Sequence, residues 1–430
     1  MALFFYSLAI RLYAAGIWLA APFHHKARLW VQGRRNWRSQ FESPRFDPSL
    51  SPKVLWVHAA SLGEFEQGRP IMEAVRVQFP EWKIVLSFFS PSGFEVRKNY
   101  PYADVVCYLP MDTHRNAADF LDRIKPDAAI FVKYEFWAHY LFALKKRSIP
   151  TLLVSALFRE KQVFFRWYGR FWRQMLGCFT HFFVQDEASA KLLQGIGLEN
   201  WTVAGDTRVD RVLKIAEGAA ENEIAQAFSG TGWRSSRKTA TPVLVVGSSW
   251  APDEAILAPL FQSPDFQKSK MLLAPHEPSQ ANVARLCSQF KDALRYSQAT
   301  PETASRTRCL LIDNVGMLNT LYRYGTVAYI GGGFGKGIHN TLEPAAFGLP
   351  IIFWPKYALF EEARQFVARG GAFCVRDTEE LMAVFSKLLD PIFYQTASDA
   401  VRAYLEESKG ATHRVIGFLS PLFEPKISPL

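Results

Sequence analysis

"VLWVHAASLGEFEQGRP" (residues 54–70) decides how the chain is read. Its apolar opening is a strand, the small residues and Gly63 are a tight turn, and the stretch from Glu64 onward is the start of a helix. Strand, turn and helix in that order open an α/β unit. Glu64 then falls in the first helical turn, where the helix dipole favours an anion. Two roles fit that position: an ordinary first-turn residue, or a general base at the end of a strand. Glu66, two positions on, should point elsewhere. Spacing alone leaves both roles for Glu64 open.

The same texture recurs along the 430 residues. Strands are expected at 54–58, 83–89, 105–109, 128–132, 151–155, 181–185 and 201–205. A second series is expected at 243–247, 270–274, 309–313, 327–333, 350–354 and 372–375. Several are continuously hydrophobic, as parallel strands covered on both faces are, and the gaps leave room for crossover helices. The reading is α/β: a membrane anchor and basic flank (1–40), a first Rossmann-like domain (41–215), a polar linker (216–241) with room for one short helix, and a second Rossmann-like domain (242–430) closed by helices. Two such domains are expected to face each other across a cleft at the carboxyl ends of their strands.

Composition narrows the function. Hydrophobic content of 49% and charged content of 21% exclude a disordered chain. Five cysteines, far apart and without a Cys-x-x-Cys, argue against a disulfide framework or a zinc site. The net charge of +10 points to anionic partners. "LFFYSLAIRLYAAGIWLAAPF" (3–23) carries one charge, Arg11, and is followed by Lys26, Arg28, Arg34, Arg35 and Arg38. It is long enough to span a bilayer. Arg11 near its middle would cost about 2.5–3.5 kcal/mol there, so an in-plane anchor fits as well, and a buried first helix of the soluble domain is the alternative to an anchor of either mode. Either mode places the rest of the chain on the cytoplasmic side.

In "VAYIGGGFGKGIHNTLEPAAFGLPIIFWP" (327–355) a strand runs into a glycine-rich turn and then a helix expected from about Asn340 to Gly348. Neither the dinucleotide fingerprint nor a P-loop fits, because Lys336, Gly337 and Ile338 stand at the wrong places. Glycines admit a ligand close to the backbone, and a helix start offers N–H groups to an anion. Glu343, three residues past Asn340, suits a ribose diol or a capping partner for Asn340.

Read together, "HAASLGEF" (58–65), "SPSG" (90–93), "EFW" (135–137), "VAGDTRVD" (203–210), "VGSSW" (246–250), "APHEP" (274–278), "IDNVGML" (312–318) and "GGGFGKGIHNTLEPAAFGLP" (331–350) resemble, in order, the motifs of the 3-deoxy-D-manno-octulosonic acid (Kdo) transferases. The resemblance implies a GT-B glycosyltransferase of lipopolysaccharide biosynthesis at the cytoplasmic face of the inner membrane. Its donor would be CMP-Kdo and its acceptor lipid IVA, an acylated, phosphorylated glucosamine disaccharide. Anionic membrane lipids would be neighbours, and no metal or other cofactor is implied; no Asp-x-Asp pair occurs. It implies Glu64 as the base. Pro275 and His276, then Gly316, Met317 and Leu318, then Asn340, Thr341, Leu342 and Glu343 become the CMP contacts.

Three departures accompany it. Lys133 replaces the first carboxylate of the family's Glu-Thr-Glu, while Glu135 keeps the second. Arg208 replaces a lysine and preserves a charge for phosphate or the transition state. Met317 replaces a glutamate. Lys133 is expected to pair with Glu64 or Glu135 if it has no acceptor role. "REKQVFFRWYGRFWRQMLGCFTHFF" (159–183) mixes five basic residues with dense aromatics. It reads as an amphipathic helix before a buried strand, or as a surface touching lipid. Other sugar-nucleotide enzymes of the same fold (a different donor, or an epimerase) and a non-enzymatic membrane-associated binding protein stand as alternatives. A nucleic-acid module lacks any matching pattern.

Overall fold

The computed structural model describes residues 1–41, 53–230, 241–335 and 337–423. Residues 231–240 of the expected linker, and Lys336, lie outside them.

Two compact units emerge, residues 1–210 with 408–430 and residues 211–407. The first is built on a sheet of β1 (Val54–Ala59), β2 (Lys83–Phe88), β3 (Val105–Tyr108), β4 (Ala128–Val132), β5 (Thr151–Ala156), β6 (His181–Val184) and β7 (Trp201–Val203). Their order is β3-β2-β1-β4-β5-β6-β7, every pair parallel. The second is built on β8 (Val243–Ser249), β9 (Lys270–Pro275), β10 (Ala293–Arg295), β11 (Cys309–Leu311), β12 (Val327–Ile330), β13 (Ile351–Phe353) and β14 (Ala372–Cys374). Their order is β10-β11-β9-β8-β12-β13-β14, again all parallel. Both are Rossmann-like. Each reverses strand order beside its first strand, at β1/β4 and at β8/β12, where open α/β sheets bind ligands.

Burial explains the strands. β1, β4 and β5 are buried at every position because helices cover both faces, so one face carries Trp56, Phe131 and Leu153 and the other Leu55, Val57 and Ile130. All thirteen expected strands are present. β10 has no counterpart among them; its three residues, Ala-Leu-Arg, carry too little pattern to read.

The domain boundaries differ from the expected ones. The first unit ends inside the helix Thr207–Glu217. The described part of the expected linker is packed into the second unit. Its helix, Glu223–Ser229, is capped by Asn222, whose own amide donates to Tyr324 Oη at 2.6 Å. The last helix, Ala411–Phe423, belongs to the first unit, not the second. Ala411, Val415, Ile416 and Leu419 join the core beneath β1, β2 and β4. Asp210 takes its first amides, from Gly410 at 2.5 Å and Thr412 at 2.6 Å.

The apolar amino terminus forms α1 (Ala2–Ala20), with α2 (His25–Gly33) behind it. No α1 residue is fully buried. Tyr6, Ser7, Ile10, Ala14 and Ile17 are half-buried at helical spacing, while Phe4, Phe5, Leu8, Leu12, Trp18 and Leu19 are exposed. Two cations of the basic flank turn inward. Arg34 donates to the carbonyls of Leu109 (2.9 Å) and Phe89 (2.7 Å) and lies 4.0 Å from the Trp30 ring; Arg38 pairs with Asp119 at 2.5 Å.

Candidate functional site

In the first unit the chain leaves β1 through Ser61, which caps α3 (Leu62–Gln78). The Ser61 hydroxyl does not take a helix amide; it donates to the carboxylate of Glu64. Glu64 is therefore held in the first turn of α3, half-exposed, at the strand end next to the switch point. Gly68, one turn on, brings α3 onto the sheet: a Cβ there would come 3.1 Å from Val132 Cγ2. Glu66 faces away and pairs with Arg97 at 2.9 Å and Arg69 at 3.7 Å.

Across the switch point, β4 is followed by Lys133, whose φ of 67° is left-handed and costly for a residue with a Cβ. Glu135 follows and is buried. Its Oε2 accepts from Trp137 Nε1 at 2.7 Å and lies 3.1 Å from His58 Nε2. His58, the last buried polar residue of β1, turns its Nδ1 to Ser87 Oγ at 2.9 Å, and that hydroxyl accepts from Trp56 Nε1 at 2.8 Å. Glu135 is thus committed to a buried network. Among the described residues Lys133 forms no ion pair with Glu64 or Glu135, contrary to the expected pairing.

Its charge acts on Asp206 instead, at the end of β7. Burial alone would raise that carboxyl, but the Arg208 guanidinium, the Arg208 amide and Lys133 outweigh it and hold it below the usual carboxylate range. Arg208 forks onto Asp206, with Nε at 3.1 and 3.0 Å and a terminal nitrogen at 2.6 Å. Gln67, three residues past Glu64, donates to the same carboxylate at 3.2 Å. The fold therefore brings Glu64, Lys133, Glu135 and Arg208 to the carboxyl edge of one sheet, from residues up to 144 positions apart by their numbering.

In the second unit Ser248, one residue before the end of β8, has φ of 53°, and Trp250 follows the strand at the N-cap of the helix Ala251–Gln262. Trp250 stacks on His276 (ring centroids 4.5 Å), His276 stacks on His339 (4.4 Å), and Trp250 Nε1 donates to His339 Nε2 at 3.0 Å. That bond needs a bare Nε2. Burial, with a smaller contribution from His276, pushes the His339 ring down to about 4, so it is neutral at physiological pH. Gly332, at φ of 94°, has no room for a Cβ, which would lie 2.8 Å from the His339 ring. Asp253, fully buried, ties the glycine turn to the β8 end by accepting from Gly332 N (3.1 Å), Trp250 N (2.9 Å) and Tyr329 Oη (2.9 Å).

Trp250 separates two cavities. One, about 480 Å³, is lined by Trp250, Pro252, Asp253, Phe334 and His339 with the glycine turn. The other, about 390 Å³, is lined by Ser249, Trp250, Glu277, Ser279, Asn282 and Arg285.

The expected donor residues all lie at the carboxyl edge of this second sheet, but they line neither cavity. Pro275 is the buried end of β9, and His276 is exposed and stacked as above. Gly316 is left-handed at φ of 97°, and Met317 takes the amide of Asn314 at 3.0 Å. Leu318 packs towards Gly247 of β8. The helix after Asn340 is short, Leu342–Ala346. Its Leu342 amide is already taken by Asn340 Oδ1 at 3.0 Å, and Asn340 Nδ2 donates to Glu343 Oε1 at 3.0 Å. That is the capping arrangement, so the start of this helix offers fewer open donors than expected. Thr341, fully buried, leaves its hydroxyl without a partner. His58, Trp250 and His339 stand inside the quoted motifs, yet no spacing rule marks them; only their contacts do.

Residues 35–211 match the family model described as 3-Deoxy-D-manno-octulosonic-acid transferase (kdotransferase). The chain is 26% identical to the 3-deoxy-D-manno-octulosonic acid transferase of Bordetella pertussis, across 96% of this chain and 98% of that one. It is 24% identical to the enzyme of the same name from Haemophilus influenzae, across 87% and 88%. Among solved structures it resembles a UDP-GlcNAc 2-epimerase from Neisseria meningitidis (TM-score 0.58, 17% identity, 86% and 100% covered). It also resembles MurG of Acinetobacter baumannii (TM-score 0.53, 12% identity, 86% and 99% covered). At those identities the two structures speak for the GT-B fold alone.

Proposed function

We propose that this chain, which belongs to the Kdo transferase family, moves Kdo from CMP-Kdo to lipid IVA by an inverting route. Family membership makes it a glycosyltransferase of lipopolysaccharide biosynthesis; donor, acceptor and residue roles are our reading. The observation that carries it is Glu64, a carboxylate held by Ser61 at the start of α3 beside the β1/β4 switch point.

In this reading Glu64 takes the proton of an acceptor hydroxyl as that oxygen attacks the anomeric carbon of Kdo. The bond from that carbon to the CMP phosphate oxygen breaks, and CMP leaves as the anion. Arg208 and Lys133, two cations at the same sheet edge, serve the charge of a phosphorylated acceptor or of the transition state. Glu135, with both neighbours fixed, holds the loop in place and does not move a proton. The nucleotide belongs to the second unit, with His276, Gly316 to Leu318 and Asn340 to Glu343 as its contacts, extended here by the Trp250–His276–His339 stack, whose flat faces suit a base. No metal enters this reading.

The membrane role follows from α1. Its half-buried stripe lies on the first unit and its opposite face is exposed apolar surface; the same unit also exposes Trp167, at 90%, and Tyr168. A cavity of about 480 Å³ lined by Trp18, Leu19, Phe23, Arg28 and Arg35 adds positive charge beside apolar rings, which suits an anionic lipid. We read α1 as lying in the plane of the cytoplasmic face of the inner membrane, since contacts along its length would be lost in a span.

Mass spectrometry of lipid IVA after incubation with the full chain and CMP-Kdo tests the reaction and counts the sugars added. A gain of one or more Kdo masses is expected. No gain with CMP-Kdo but product with a UDP-sugar would replace the donor assignment.

A further inference from the structure

Outside the site, α1 makes specific contacts with the rest of the first unit. Three of them converge on one short segment, the loop from Lys133 to Trp137 and the first turn of the helix Ala138–Lys146. That helix has no side-chain cap of its own: Trp137 stands at its N-cap, and its side chain takes none of the helix amides. Its first amides go elsewhere. His139 N donates to Asp112 Oδ2 at 3.2 Å and Tyr140 N to Asp112 Oδ1 at 3.1 Å. Ala138 N donates to the hydroxyl of Tyr6, on α1, at 3.3 Å. Tyr6 in turn donates to Asp112 Oδ2 at 2.5 Å. Asp112 is 1% exposed, and burial pushes its carboxyl up to about 6, so every donor it keeps matters for its charged form.

Two further contacts run the same way. Ser7 Oγ lies 2.9 Å from His139 Nε2. Tyr13 stacks on Phe89 (6.2 Å, 24°), Phe89 packs on Trp137 (4.7 Å, 31°), and Trp137 Nε1 holds Glu135. A tether needs none of this. A helix that only held the enzyme at the membrane could be joined by any linker.

We propose that α1 is part of the transfer site's framework, and that Tyr6 is a positioning residue that sets the Lys133–Glu135 loop by completing the cap on the helix behind it. The inference rests on the functional reading above, which places that loop at the site. Lipid pressing on the exposed face of α1 then bears on the loop through Tyr6 and Tyr13, so seating on the membrane and assembly of the site are one event.

The test uses the full chain in mixed micelles with CMP-Kdo and lipid IVA, alongside flotation with vesicles of phosphatidylethanolamine and phosphatidylglycerol. Tyr6→Phe keeps the ring against Phe171 and Trp172 and removes only the hydroxyl. It should lower kcat by about tenfold, the scale of a small misplacement of a reacting group, with KM and vesicle binding within about twofold of the parent. Leu12→Gln, on the exposed face, should show the reverse pattern: weaker flotation and a higher KM. Should Tyr6→Phe fail to fold, Tyr13→Leu takes its place with the same expected split. A Tyr6→Phe protein with parental kcat, or one whose loss lies wholly in KM and flotation, overturns the proposal while the functional reading stands. A parent chain with no transfer at all overturns the reading, and the proposal with it.

Discussion

His58 Nε2 lies 3.1 Å from Glu135 Oε2, both side chains buried at the ends of adjacent strands β1 and β4. Removing one partner strands the other. Glu135→Ala removes the oxygen 2.7 Å from Trp137 Nε1 and 3.1 Å from His58 Nε2, leaving the indole N–H only His58 Nε2 at 3.1 Å, a loss on the order of 1–3 kcal/mol. Glu135→Gln keeps an oxygen for Trp137 and should retain most of the stability. Thermal melts of the two variants check this, and turnover should fall far less in Glu135→Gln than in Glu64→Gln.

Glu64→Gln and Glu64→Ala should lower turnover by roughly 10²–10⁴-fold, the range for a positioned general base, with melting temperatures close to the parent. Ser61→Ala should have a smaller effect on turnover in the same direction, because it frees the carboxylate from the hydroxyl that orients it. Parental turnover in both Glu64 variants would remove the base from this position.

The His339 ring, pushed down to about 4 by burial and then by His276, has a sign to its pH dependence. Its ordinary value is about 6.5, so the fold prefers the neutral ring. The stability this contributes is complete above about pH 6.5 and is lost as pH falls from there towards about 4. His339→Gln, which keeps an acceptor for Trp250, should flatten that loss. Urea melts at pH 7.5 and pH 5 compare the two slopes, and equal slopes would count against the neutral ring.

Asp210 accepts the Gly410 and Thr412 amides at 2.5 and 2.6 Å and so caps the last helix from across the first unit. Asp210→Ala should lower stability by about 1–2 kcal/mol, the scale of a lost helix cap. Hydrogen exchange should quicken over the first turn of the helix Ala411–Phe423, while amides in the β8–β14 sheet keep their protection.

Thirteen strands were legible because a strand buried on both faces is written as an unbroken apolar run, "AAIFV" being the plainest. The last helix was legible as a helix but not by its home, since an apolar stripe does not say which sheet it will cover. Glu64 was found through the resemblance of its motif, and its place at the start of α3 through the glycine before it. His58, Trp250 and His339 were in view and went unassigned. A buried histidine on a strand looks the same in sequence whether it pairs with a carboxylate or merely packs. The expected pairing of Lys133 is absent among the described residues, where its charge bears on Asp206 and its backbone is left-handed, and nothing in "VKYEFW" marks that turn.

The order of residues by itself determined what is local: alternating strands and helices, the glycine turns at strand ends, an apolar first helix with cations after it. Those follow from periodicity and backbone sterics, which act over a few neighbours. Only the tertiary structure decided the partners. It set Glu135 against a histidine 77 residues earlier, Tyr6 against an aspartate 106 residues later, and Asp210 under a helix 200 residues on. Such bonds depend on which strands lie side by side, and that is settled by packing the whole sheet at once.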